Sequence, residues 1–380
     1  MIRLSLIIRA GAAVMSLVAA FAIAYIVLRP PPDPKAASGI SWHYKSNGSL
    51  EWTHHVAFSP DGKLFAIFAQ GAPWTGIYRL PYYRYAIQTL DFEVAPYANT
   101  FWSPDSSMVV LITPGGNTLN VMKVTDGTTQ VRLKHDGKEV ISTTDYAPNG
   151  QFIASGDYAG TVTVFDAQSG KPVNGFKLNS APILHVSFSS DAGTLIAQDS
   201  SSARLWNLKT GELIQSFDSV LTMVSGSLDR SVFSFIRSGA DGRKEFEVHR
   251  YDTGELVQKF DGSSMVFALS RSGTELATSD GNIWDVKTGA LRRKLVDDGT
   301  GFGYTFLQFS PDGKVVAAVR GDEVKLIDVE TGEVRQTENT SGYALFAPSG
   351  ACLATRYNGW EFWDRMWSVG NSAEPGDNQQ

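Results

Sequence analysis

From residue 50 onward short apolar runs alternate with polar breaks, and Gly, Asp, Ser or Pro recurs about every ten residues. Runs such as Val56-Ala57-Phe58 and Leu64-Phe65-Ala66 are too short for helices and rich in strand-forming residues, so the pattern predicts short strands, tight turns and an all-β fold. The start of the chain is different. From Ala10 to Leu28 there are nineteen consecutive uncharged residues between Arg9 and Arg29. A helix of that length measures about 28 Å, close to the hydrocarbon thickness of a bilayer.

This divides the chain into a short basic N-terminus (1–9), a transmembrane anchor (10–28), a Pro-rich linker (29–40), a folded body (41–368) and a disordered tail (369–380). The run exceeds the usual apolar region of a cleaved signal peptide, so an uncleaved anchor is expected. Prolines 30, 31, 32 and 34 fix φ and make the linker stiff. The basic N-terminus orients the anchor with its N-terminus inside, which makes the membrane a partner through that helix. The expected location is a single-pass membrane protein with its body outside the cytoplasm, on the periplasmic or extracellular side.

Within the body one phrase returns. Ser59-Pro60-Asp61-Gly62 reappears as Ser310-Pro311-Asp312-Gly313, and more loosely at Ser103, Ala147 and Ala347; degenerate copies begin at Ser189, Ser227 and Ser270. The spacings are 44, 44, 42, 38, 43, 40 and 37 residues, so the unit is near forty residues and occurs eight times. Proline pre-sets the second turn position, Asp bonds its own backbone and Gly takes the left-handed conformation, so each phrase predicts a hairpin. Some twenty residues further on, an apolar residue and an acid or amide lead to a glycine: Phe165-Asp166 to Gly170, Trp206-Asn207 to Gly211, Trp284-Asp285 to Gly289, Ile327-Asp328 to Gly332 and a shortened Tyr251-Asp252 to Gly254. A fourth apolar run follows, and each unit reads as a four-stranded antiparallel blade.

These phrases resemble the WD40 repeat family over roughly residues 41–368, which implies a closed β-propeller with a scaffold or recognition role. The family's Gly-His is missing; only His135 stands in about its place, where Ser155 and Asp157 could join its buried network while Phe165 replaces the family's Trp. TolB-like propellers also use Ser-Pro-Asp-Gly hairpins and remain the second choice. The fold expected is a single closed propeller of eight four-stranded blades, with seven as the alternative. The run from Ile40 to Lys45 alternates in the β manner and is expected to supply the outer strand of the last blade, which removes an exposed edge.

Charge narrows the partner. Residues 1–35 carry plus 3 and the remainder minus 9, and an acidic body repels a phosphate backbone, so no nucleic acid is expected. One cysteine, Cys352, excludes an intrachain disulfide and reads as a small buried strand residue. The six histidines show no nucleophile–base setting, and adjacent His54 and His55 point to opposite faces of one strand. Asp297-Asp298 and Asp322-Glu323 read as solvated loop acids, and the partial Asp box at Ser189 as a hairpin with one inserted residue. No catalytic residue, metal site or cofactor is therefore assigned.

What remains is a binding surface on the loops that join second to third strands, which share a face with the crossovers between blades. Units five, seven and eight deliver Arg237, Arg320 and Arg356 there, whereas units three, four and six deliver Asp157, Asp199 and Asp280. Trp74, Tyr82, Tyr83 and Arg84 of the first unit add the aromatic and basic types that dominate interfaces. The sequence thus predicts a non-enzymatic, membrane-tethered scaffold that holds a protein or peptide partner on its loop face. The alternative is an envelope-located propeller enzyme, or a receptor for a sugar or lactone, that uses the central channel.

Overall fold

The computed structural model describes residues 41–44, 54–69, 75–79, 86–90, 101–113, 115–135, 139–221, 224–239, 241–261, 266–295, 303–339, 344–350, 352–356 and 360–364. Their regular structure is all β. The strands form eight four-stranded antiparallel sheets, seven of them from consecutive strands. In chain order these seven span residues 54–90, 101–134, 141–177, 185–218, 225–261, 267–294 and 306–339. The eighth takes three strands from 344–364 and its outer strand from Ser41–Tyr44, paired with Trp360–Asp364. The expected closure by the first strand is therefore present.

Sheet three shows why these residues form such units. Ile141–Tyr146, Phe152–Asp157, Thr161–Asp166 and Pro172–Lys177 lie side by side. The two middle strands are buried on both faces, small polar Ser155 and Thr163 included, and the outer strand is largely exposed. First strands of neighbouring sheets abut, for example Ile141–Tyr146 against His185–Phe188, so they are the innermost ones.

The apolar core lies between sheets and runs round a cycle. Ile77 of sheet one packs with Leu111 and Leu119 of sheet two and Phe165 of sheet three. Val164 of sheet three joins Phe188 and Trp206 of sheet four, and Leu205 of sheet four joins Phe233 and Tyr251 of sheet five. Phe246 then meets Leu276 of sheet six, Ile283 meets Leu307 of sheet seven, and Val324 meets Phe346 of sheet eight together with Phe65 and Tyr78 of sheet one. Each such side chain contributes about 1.5–3 kcal/mol by leaving water. Because the last cluster returns to the first sheet, the body is a β-propeller.

All eight predicted hairpins join first to second strands. In the best-formed ones the serine hydroxyl donates to the aspartate two residues on, as in Ser59 Oγ to Asp61 Oδ1 (2.6 Å) and Ser310 Oγ to Asp312 Oδ1 (2.6 Å). The same oxygen accepts the amide N–H five residues on, Leu64 and Val315 respectively. Gly62 and Gly313 take φ of +65° and +72° at the fourth position. Ser106, Ala192 and Arg230 replace glycine there at φ of +62°, +56° and +55°. A left-handed side chain costs about 1–2 kcal/mol. Two of them gain contacts in return: Ser106 Oγ accepts the N–H of Asp61 (3.1 Å), and Arg230 reaches Asp145 of sheet three.

Some expectations need correction. No helix among the described residues is long and apolar enough to cross a membrane. This overturns the single-pass location with the propeller outside the cytoplasm: the described chain is strand and turn, and the apolar run 10–28 on which that location rested lies outside the described residues. Unit five is not shortened either. Its third strand ends at Arg250, whose carbonyl accepts the N–H of Gly254 just as Asp166 accepts from Gly170, so His249 takes the place of Phe165 and Trp206. Glu323 begins a strand, Glu323–Asp328, rather than lying in a loop.

Candidate binding face

The ends of the second strands carry the chemistry that varies from sheet to sheet. In sheet three Asp157 is fully buried and its Oδ1 accepts the N–H groups of Ala159 (3.0 Å) and Thr161 (2.7 Å), which fixes the turn into the third strand. His135 joins it as the sequence suggested: Nδ1 lies 2.6 Å from Ser155 Oγ, and Nε2 lies 3.2 Å from Asp157 Oδ2, close but not aligned as a hydrogen bond. Phe165 fills the remaining corner, fully buried.

Two further networks escaped the sequence reading. In sheet four Asn179, six residues ahead of the first strand as His135 is in sheet three, donates to Asp199 Oδ2 (2.6 Å) and Ser202 Oγ (3.0 Å). Burial would raise the Asp199 pKa, but the N–H groups of Ser201 and Ser202 and the side chains of Asn179 and Ser202 outweigh it and hold the carboxyl below its usual range. In sheet six Trp284 Nε1 donates to Thr278 Oγ1 (3.1 Å), which donates to Asp280 Oδ1 (2.6 Å). The spacing of Asn179 relative to His135, and the Thr278-Ser279-Asp280 match to Ser155-Gly156-Asp157, were the available signals. The acids Asp157, Asp199 and Asp280 are thus held in turns.

Arg237 and Arg320 stand seven residues after the left-handed position of their hairpins, the place of Asp157 in sheet three. A guanidinium has no acceptor and cannot hold the turn as the carboxylates do. Arg237 ends the bulk of Val232–Ser238; its side chain is a third exposed, with Nη1 3.8 Å from Glu247 Oε2 and a buried Nε that makes no hydrogen bond. Glu247 also accepts from His249 Nε2 (3.0 Å) and lies 3.2 Å from Lys259 Nζ. Burial would raise its pKa, yet these neighbours outweigh it and keep the carboxylate charged to lower pH. Arg320 ends Val315–Arg320, opposite Glu323 in the ladder, and is half-buried. Arg356 ends Cys352–Arg356 one residue earlier in its unit. Trp74, Tyr82, Tyr83 and Arg84 lie outside the described residues. The three arginines therefore occupy similar strand ends on sheets five, seven and eight, with Asp280 of sheet six between the first two.

A second polar cluster lies on the inner strands. Arg230 donates to both oxygens of Asp145, Nη1 to Oδ2 (2.5 Å) and Nη2 to Oδ1 (2.9 Å), and Asp145 Oδ2 also accepts the N–H of Phe188 (2.9 Å). Residues from sheets three, four and five are joined in one contact. Burial would lower the Arg230 pKa, but Asp145 outweighs it and raises it. Beside this pair His185 has a buried Nε2 without a hydrogen bond, and burial above all, opposed by Asp145 and helped by Arg230, pulls its pKa down to about 4. Tyr251 donates to Ser187 Oγ (3.1 Å), and burial pushes its hydroxyl up to about 12. Among the described residues no three His, Cys, Asp or Glu side chains are grouped to hold a metal ion.

Comparison with known proteins agrees with this architecture. Residues 105–239 match the β-propeller family described as Nucleolar protein 10-like, N-terminal domain. Apoptotic protease-activating factor 1 of Homo sapiens is 24% identical over 353 residues, covering 78% of this chain and 27% of that protein; the Rattus norvegicus protein is 22% identical over 354 residues with the same coverage. The chain thus spans about a quarter of the length of these relatives. They support the WD40-like reading and not the TolB-like one. Repeat spacing, sheet topology, the His135 network and these matches together make the chain a WD40-like β-propeller.

Proposed function

We propose that this propeller, with its eight sheets arranged as eight blades, is a protein-binding scaffold that holds a protein or peptide partner on its loop face. The observation that carries this reading is the exchange at the second-strand ends. Asp157 and Asp199 are committed to their turns, whereas Arg237 and Arg320 occupy the same place without that structural duty. Fold-dictated positions repeat, and positions that vary on a fixed scaffold are where recognition resides. Arg356 extends this cationic sector, and Trp74, Tyr82, Tyr83 and Arg84 are assigned to the same face from their place in the first unit. The same geometry disfavours hydrolysis, because the acids an enzyme would need already accept backbone N–H groups.

The test is a comparative pull-down from cell extract with the wild-type chain and the R237E/R320E/R356E variant, each first shown to melt alike. Partners captured by the wild type and lost from the variant support the reading. Identical capture by both removes the arginines from the site.

A further inference from the structure

Four large apolar side chains are exposed on the loop face of adjoining sheets: Val140 (41%), Tyr158 (40%), Leu184 (41%) and Leu221 (46%). Backbone hydrogen bonds set them in sequence around the rim. Tyr158 N–H donates to the Val140 carbonyl, and Ile183 N–H, next to Leu184, donates to the carbonyl of Asp157, next to Tyr158. Leu184 and Leu221 each donate from N–H to a carbonyl at the end of their sheet's second strand, Gln198 and Ile236. Val220 is bridged to Arg237. The arc therefore crosses sheets three, four and five and ends at the backbone of Arg237.

The fold does not require these residues. Thr305 of sheet seven makes the same backbone bond, to Val319, at the position of Leu184 and Leu221, and it is polar and exposed. After the second strand, where sheet three has Tyr158, sheets four, six and seven have Ser200, Gly281 and Gly321. Among the described residues, large apolar side chains exposed at these positions fall on sheets three, four and five, and such a surface marks an interaction site.

We infer that this arc is the seat of an extended segment of another protein that carries large aliphatic side chains beside a single carboxylate. The aliphatic side chains cover Val140, Tyr158, Leu184 and Leu221, and the carboxylate pairs with Arg237. Its side chain is a third exposed, and the acid beside it, Glu247, lies 3.8 Å from Nη1 and is shared with His249 and Lys259. A run of acids is disfavoured because the body carries minus 9, so one carboxylate flanked by apolar residues fits better than an acidic tract. This inference rests on the loop-face reading and narrows it to one sector.

Selection of a randomised twelve-residue peptide library on the purified full chain tests it. The result expected is enrichment of sequences with Leu, Ile or Phe near one Asp or Glu. Their binding, measured by fluorescence anisotropy, is expected to weaken about tenfold or more in L184T/L221T. In R237E the preference is expected to switch from the acid to Lys or Arg. Threonine at both positions copies Thr305, and an unchanged melting curve confirms the fold. Selected peptides that ignore these substitutions but lose affinity in R320E overturn the arc and leave the loop-face reading standing. Peptides insensitive to every loop-face substitution, or no selected peptide at all, overturn both the arc and its partner.

Discussion

The two faces of the ring are built on different terms. On the hairpin face one device recurs: a serine that donates to an aspartate and accepts an amide N–H, seen at Ser59, Ser103, Ser189, Ser227 and Ser310. On the loop face the corresponding strand ends carry Asp157, Asp199 and Asp280 in some sheets and Arg237 and Arg320 in others. The uniform face is what a closed ring of sheets needs from each unit. The variable face is where units are free to differ, and the few differences that also expose apolar area or leave a cation poorly paired single out sheets three to five.

The comparison can be broken or sharpened by substitution. The largest effect is expected in the shared core, where Phe188 is fully buried: Phe188→Ala costs about 3–5 kcal/mol in denaturant unfolding, and Phe58→Ala, half-buried at the matching position, costs less. Asp145→Ala leaves Arg230 without its carboxylate and is expected to cost about 3 kcal/mol. Acid supplies a third test. His185 titrates near 4 in the fold against 6.5 when free, so the unfolded chain takes up the proton first. Stability is full above about pH 6.5 and falls as pH drops toward 4, by roughly 3 kcal/mol in all. His185→Gln is expected to flatten that part of a melting-temperature profile against pH. On the hairpin face Ser310→Ala, which strips a buried bond from the turn, costs about 1–2 kcal/mol. The smallest effect belongs to the loop face: Leu184→Thr, at an exposed position, changes stability by under about 0.5 kcal/mol while weakening peptide binding. A large loss there would show that Leu184 is structural and would erase the contrast.

Hairpins were legible because the turn chemistry is local: proline, aspartate and glycine act on their own backbone, and even Ser227-Leu228-Asp229-Arg230 kept enough of it to be found. The His135 network was legible because its members sit at fixed offsets in one unit. What stayed hidden is held by distant partners. Nothing near Arg230 in sequence announces Asp145, and nothing near Arg250 shows that it, rather than Asp252, closes the turn of unit five. The exposure of Val140, Tyr158, Leu184 and Leu221 was equally hidden, since alternation says which side of a strand faces the core but says little about residues just beyond its end.

The pairing of Ser41–Tyr44 with Trp360–Asp364 has a temporal consequence. The first of the described strands finds its neighbour only after roughly three hundred further residues have been polymerised. At about 5–20 residues per second a ribosome needs on the order of tens of seconds to deliver it. Throughout that interval the nascent arc presents the free margin of Phe65 and Tyr78 without their final neighbours. Maturation is thus gated by the arrival of the last sheet, and agents that shield unfinished margins matter most just before that sheet emerges.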